Sequence, residues 1–113
     1  SDGSLFTIIF RQNDINILDF SIILGYFAPN SNVVFRLKRY NGKSHFHTNQ
    51  IEKNSFYDYH IHVATERYQL AGFYEDGYAE ISSEYSDIDT AMDVLVKDSN
   101  IILPEEKQMK LFS

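Results

Sequence analysis

The sequence predicts an α+β fold: an antiparallel meander of four to six strands with a C-terminal helix packed on one face. Apolar, β-branched and aromatic residues recur in short runs over most of the chain, broken by Asn-, Asp- and Gly-bearing turns. A single stretch, opening near Ser86, changes to helical periodicity. At 113 residues the chain (1–113) is one domain on size, large enough for one core.

LFTIIFRQ, residues 5 to 12, and INILDFSIILGYFA, residues 15 to 28, flank the turn-forming pair Asn13-Asp14 and read as a hairpin. Ile8-Ile9 and Ile22-Ile23-Leu24 are apolar on both faces, which places this hairpin at the centre of the sheet or beneath a partner. After the break Pro29-Asn30-Ser31-Asn32, VVFRLKRY (33 to 40) alternates, with Val33, Phe35 and Leu37 inward and Arg36, Lys38 and Tyr40 outward. Asn41-Gly42 is a strong hairpin signal, and a two-residue turn there pairs Leu37 with Phe46, Lys38 with His45 and Arg36 with His47, with Phe46 inward. A bulge at Gly42 is the alternative, letting the strand run on through His47. Both geometries put Arg36 and Lys38 near the histidines.

Thr48 to Asp58 reads as a polar loop, and YHIHVATE (59 to 66) as a strand with Tyr59, Ile61 and Val63 inward. Residues 68 to 85 read as a loop with one short strand around Tyr78 to Ser82. The helix opens on a Ser86 cap with Asp89 in its first turn, carries the apolar stripe Ile88, Met92, Leu95 and Val96, and stops at Ser99-Asn100. Ile101 to Leu103 is expected to pack back on the body, and Pro104 to open a final helical turn.

Sixteen acidic against ten basic residues give a net charge of -6, which argues against broad nonspecific nucleic-acid binding. The absence of cysteine excludes a disulfide scaffold, a thiolate zinc site and a Cys nucleophile. No apolar run reaches the ~18 residues of a spanning helix, and Ser1-Asp2-Gly3 opens no signal peptide, so a cytoplasmic protein with no membrane partner is expected. Phosphate loops, dinucleotide fingerprints, G-x-S-x-G and His-Glu-x-x-His are all missing.

All four histidines fall between residues 39 and 66, as two His-x-His pairs. Strand periodicity sends His45 with His47, and His60 with His62, to common faces. Antiparallel pairing with His47 opposite His60 also sets His45 opposite His62, so that four imidazoles share one face. In a metal-free ribonuclease, one of His47, His60 and His62 would take the 2′-hydroxyl proton, a second would protonate the leaving oxygen, and Arg36 or Lys38 would stabilise the phosphorane charge. Three neutral imidazoles also suit Zn²⁺, and Glu66 extends His-x-His-x-x-x-Glu, similar to the first half of a cupin metal motif. The cupin's leading Gly and second motif are missing, so no metal and no cofactor is assigned. Surface histidines with no task are the plain alternative.

Phe35-Arg36-Leu37, His47-Thr48-Asn49, His60-Ile61-His62, Glu66, Ala79 and Ser99-Asn100-Ile101 together resemble a family of small uncharacterised bacterial and phage domains. In these an Arg-Leu strand precedes a His-x-Asn element and a His-x-His strand. More distantly the chain is similar to TumE-like toxins of toxin–antitoxin modules. It departs from them at Tyr40-Asn41-Gly42, where the toxin pattern has an acidic residue before Asn, and in an inter-histidine loop without proline. The first resemblance implies no known activity; the second implies a cell-damaging, RNA-directed one with a cognate antitoxin as partner. Two functional classes follow: a toxin-like protein cleaving RNA on a histidine face, or a non-catalytic interaction domain. In the second, the aromatic sheet surface or an edge strand binds a partner protein or a second copy as a homodimer.

Overall fold

A computed structural model describes residues 5–99; the expectations for Ile101 to Leu103 and Pro104 lie outside them. The strands are β1 (Leu5–Gln12), β2 (Phe20–Phe27), β3 (Phe35–Asn41), β4 (His47–Asn49), β5 (Asn54–Phe56), β6 (His60–Val63) and β7 (Ala79–Ile81), and the helices are α1 (Glu66–Leu70) and α2 (Ile88–Ser99). A five-stranded antiparallel sheet runs in the order β1-β2-β3-β6-β7, and β4 and β5 pair separately. The architecture is α+β, with α2 laid across β2.

Strand alternation sends Phe20, Ile22 and Leu24 of β2, Tyr40 of β3 and Ile61 of β6 toward α2, where Ala91, Met92, Val94 and Leu95 complete the core. The helix begins one residue later than the sequence suggests. Asp87, not Ser86, caps it, its carboxylate accepting the Thr90 N–H at 2.8 Å. β2 starts only at Phe20, because the side chains of Asn13 and Asn16 accept the N–H groups of Ile15, Asn16 and Leu18 and fold residues 13–19 into a loop. Ile15, expected in a strand, is 96% exposed in that loop.

β3 contains the change of phase, but not at Gly42. Leu24 lies opposite Lys38 and Gly25 opposite Arg36, so Leu37 is the extra residue of a bulge. Gly25 permits it, since a Cβ there would meet the Val34 side chain at 2.4 Å. Beyond the bulge Tyr40 turns inward and is fully buried, against the outward position expected, while Arg39 and Asn41 turn to the other face. Gly42 makes no hairpin turn. Its N–H extends the β2 ladder by donating to the Phe20 carbonyl at 2.9 Å, and a Cβ would lie 1.8 Å from the Leu18 carbonyl oxygen. The expected pairings of residues 36–38 with 45–47 are therefore absent; β3 pairs with β6 instead. Phe46, expected inward, is 70% exposed.

Two elements were not legible as such. The polar segment 48–58 contains β5 and the end of β4, and residues 66–70, expected to close a strand and open a loop, form α1 behind a Thr65 cap. Among the described residues no helix is long and apolar enough to cross a membrane.

Candidate functional site

On the sheet face away from α2, β3 presents Arg39 and Asn41 and β6 presents His62 and His60 directly opposite them. Period-two alternation puts the two imidazoles on one side and half-buried Ile61 on the other, toward the core. The β4–β5 hairpin lies over this face. His47 stacks on His60 at 5.7 Å between ring centroids and meets His62 edge-on at 4.8 Å; His60 and His62 are 4.9 Å apart, and His45 is 5.9 Å from His60. The rings of His47, His60 and His62 thus approach one another and His45 reaches His60, although β4 pairs with β5 and the expected strand pairing of His47 with His60 does not form.

The hairpin is fastened to the sheet and to α1 around its turn. Where β4 enters the turn, Asn49, 2% exposed, donates to the Ala79 carbonyl and accepts the Ala79 N–H, both at 2.8 Å, and accepts from His47 Nε2 at 2.7 Å. At its tip the buried Tyr68 of α1 donates to Glu52 at 2.5 Å and accepts the Ile51 N–H at 3.1 Å, while Arg67 pairs with Glu52. The chain reverses there through Lys53, whose φ of 64° is left-handed. His60 is consequently 0% and His62 only 6% exposed.

Hydrogen bonding fixes the tautomers. His60 Nδ1 lies 2.6 Å from the Asp58 carbonyl and His62 Nδ1 lies 2.8 Å from the Asp76 carbonyl. A carbonyl only accepts, so each Nδ1 carries the proton and each Nε2 keeps a lone pair. Burial lowers the pKa of both imidazoles, that of His62 to about 3, with neighbouring imidazoles and the Arg39 guanidinium adding to the effect. Both rings are neutral at pH 7. Arg39 is in turn committed, Nε to Asn41 at 2.9 Å and Nη1 to Asp76 at 3.0 Å.

Arg36, expected beside the histidines, is held one step away. Its guanidinium pairs with Asp76 at 2.8 Å and Glu75 at 3.3 Å, and it reaches His62 only through Asp76. Lys38 faces the helix side, opposite Leu24. Sequence reasoning missed Arg39, Asn41 and Asp76. The two-residue spacing from Arg39 to Asn41 signals a shared face, but which face depends on the bulge. Among the described residues no group of three or more His, Cys, Asp or Glu side chains is placed to hold a metal ion.

No family model, curated protein or solved structure matches this chain.

The two edges of the sheet are finished differently. β7 is three residues long, and the outward N–H and C=O of Ala79 are both taken by the Asn49 amide. β1 is eight residues long, and among the described residues the main chain of Leu5 to Phe10 bonds to nothing beyond β2. It exposes Leu5 at 65%, Phe6 at 67%, Ile9 at 43% and Phe10 at 63%.

Proposed function

We propose that this chain is a non-catalytic protein-interaction domain whose β1 edge pairs with another polypeptide strand. The contrast between the two edges carries the reading. Proteins blunt free edges with charge, proline, bulges or a covering element, because unpaired N–H and C=O groups template further pairing. Here the short edge is plugged by a side-chain amide, whereas the long apolar one carries a single charged residue, Arg11, near its end. Strand addition supplies main-chain hydrogen bonds, and alternating side chains supply specificity. A cognate antitoxin would be one polypeptide of this kind.

The histidine group supports a structural role in this reading. Acid–base cleavage of RNA requires one neutral and one protonated imidazole within reach of the phosphodiester. His60 and His62 are both neutral and both lie under the fastened hairpin. Their Nδ1 donors hold the chain at Asp58 and Asp76, which ties the β5–β6 connection and the loop before β7 to the sheet.

A photo-crosslinking amino acid at Phe6, in the cells that make the protein, tests the proposal. A covalent adduct to a polypeptide is expected from Phe6, and none from the control Tyr74, which is still more exposed at 80%. No adduct from Phe6, or identical adducts from both positions, would overturn it.

A further inference from the structure

We infer that the strand received by β1 is β1 of a second copy, paired antiparallel about a two-fold axis through Ile8; this rests on the edge reading above and names its partner. A two-fold perpendicular to the sheet keeps like faces together, so only residues whose numbers sum to an even value can oppose one another. Centring on Ile8 sets Phe6 opposite Phe10 twice, Ile8 opposite Ile8, and Thr7 opposite Ile9. The strand is self-complementary in that register. Centring on Ile9 instead opposes Phe6 with Gln12 and Thr7 with Arg11, and centring on Thr7 shortens the pairing.

The helix face supplies a second reason. Phe6, Ile8 and Phe10 share that face, since they oppose Tyr26, Leu24 and Ile22 of β2. Helix α2 covers β2 and stops short of β1, leaving a groove of about 430 Å³ lined by Phe10, Ile22, Ile88 and Met92 and rimmed by Arg11 and Asp89. In the Ile8-centred register the second copy's Phe6 stands beside Phe10 at this groove, and each copy fills the other's. The result is one continuous ten-stranded sheet with both α2 helices on the same side, in which neither β1 has a free edge.

Size sets the expected affinity. With two-thirds of each phenylalanine exposed, the apolar side chains of β1 offer on the order of 500 Å² per copy, below the ≈800 Å² per partner of a standard interface, so a dimer of roughly micromolar affinity is expected. The opposed phenylalanines are its centre. Replacing either with a charged residue should weaken association by about 30-fold or more.

Sedimentation equilibrium on the purified chain tests the register. Wild type should pass from monomer to dimer with rising concentration, and Phe6→Lys should remain monomeric with an unchanged circular-dichroism spectrum and melting temperature. The double variant Phe6→Glu with Phe10→Lys places an introduced carboxylate opposite an introduced ammonium at two positions of the dimer. It should recover association relative to either single variant and lose it again in high salt. Because the chain has no cysteine, Ile8→Cys should give one disulfide-linked dimer on oxidation. A folded wild type that stays monomeric at about 1 mM, a thousandfold above the expected dissociation constant, or a folded double variant no more associated than the singles, overturns the inference. If, in addition, crosslinking from Phe6 captures a different protein in cells, the edge reading stands and only the second copy falls.

Discussion

Lowering the pH should destabilise this protein well above the range where its carboxylates titrate. His62 has an unfolded-state pKa of 6.5 and a folded-state pKa of about 3. Between those values the unfolded chain binds a proton that the native chain refuses, so stability is complete above pH 6.5 and falls as pH drops toward 3. From pH 8 to pH 5, His62 alone removes about 2 kcal/mol, an order-of-magnitude figure from 1.36 kcal/mol per pH unit of mismatch. His60, also lowered chiefly by burial, adds to the loss in the same direction. Lowered carboxylates such as Glu75 and Asp87 lose their contribution only at more acidic pH, so this window isolates imidazoles. With urea slopes of roughly 1–3 kcal/mol per molar, the unfolding midpoint should fall by about 1 to 2 M between pH 8 and pH 5. His62→Gln should be less stable at pH 8 yet show a distinctly shallower pH dependence, because its side chain does not titrate. A wild-type midpoint that moves by less than about 0.3 M, or a variant that reproduces the full wild-type slope, would refute the reasoning.

Other perturbations probe the same scaffold. Asn49→Ala strips partners from the Ala79 N–H and C=O and from His47, and should cost roughly 2–3 kcal/mol in thermal or denaturant unfolding; a change within ~0.5 kcal/mol would show that the hairpin is not fastened there. Gly42→Ala pushes a Cβ into the Leu18 carbonyl and should cost more than about 2 kcal/mol. Gly72→Ala, at φ +87° in open space, should cost only about 1 kcal/mol, and equal losses would argue against the close approach at Gly42. Total RNA incubated with the purified protein at pH 7 should stay intact with or without EDTA. Cleavage by the wild type that disappears in His62→Gln would restore the enzyme reading.

What was legible in the sequence is what local pattern determines. β1, the core half of β2, β6 and α2 follow from apolar periodicity, and the common face of His60 and His62 follows from a period of two. Their burial does not, because the element that covers them is attached by tertiary bonds: Asn49 reaches Ala79 across 30 residues, and Tyr68 reaches Glu52 across 16. Three-residue strands such as β4 and β5 are too short to show a period. Ile8-Ile9 and Ile22-Ile23-Leu24, apolar on both faces, pointed to a hairpin at the centre of the sheet or beneath a partner. The structure puts β2 inside the sheet and β1 at its edge, where Ile9 stays 43% exposed.

The bulge at Leu37 explains why the chemistry expected of Arg36 and Lys38 is found elsewhere. Before it, Arg36 lies on the histidine side but at the far end of β3, where Glu75 and Asp76 neutralise it. Past it the phase reverses, so Lys38 joins the helix side and Arg39 comes directly opposite His62. A free guanidinium there would be a phosphate ligand. Asn41 and Asp76 occupy it instead, and its positive charge acts inward, making protonation of His60 and His62 harder still. The same one-residue insertion that buries Tyr40 in the core therefore also sets Arg39 beside the imidazoles, where its charge adds to the burial that lowers their pKa values.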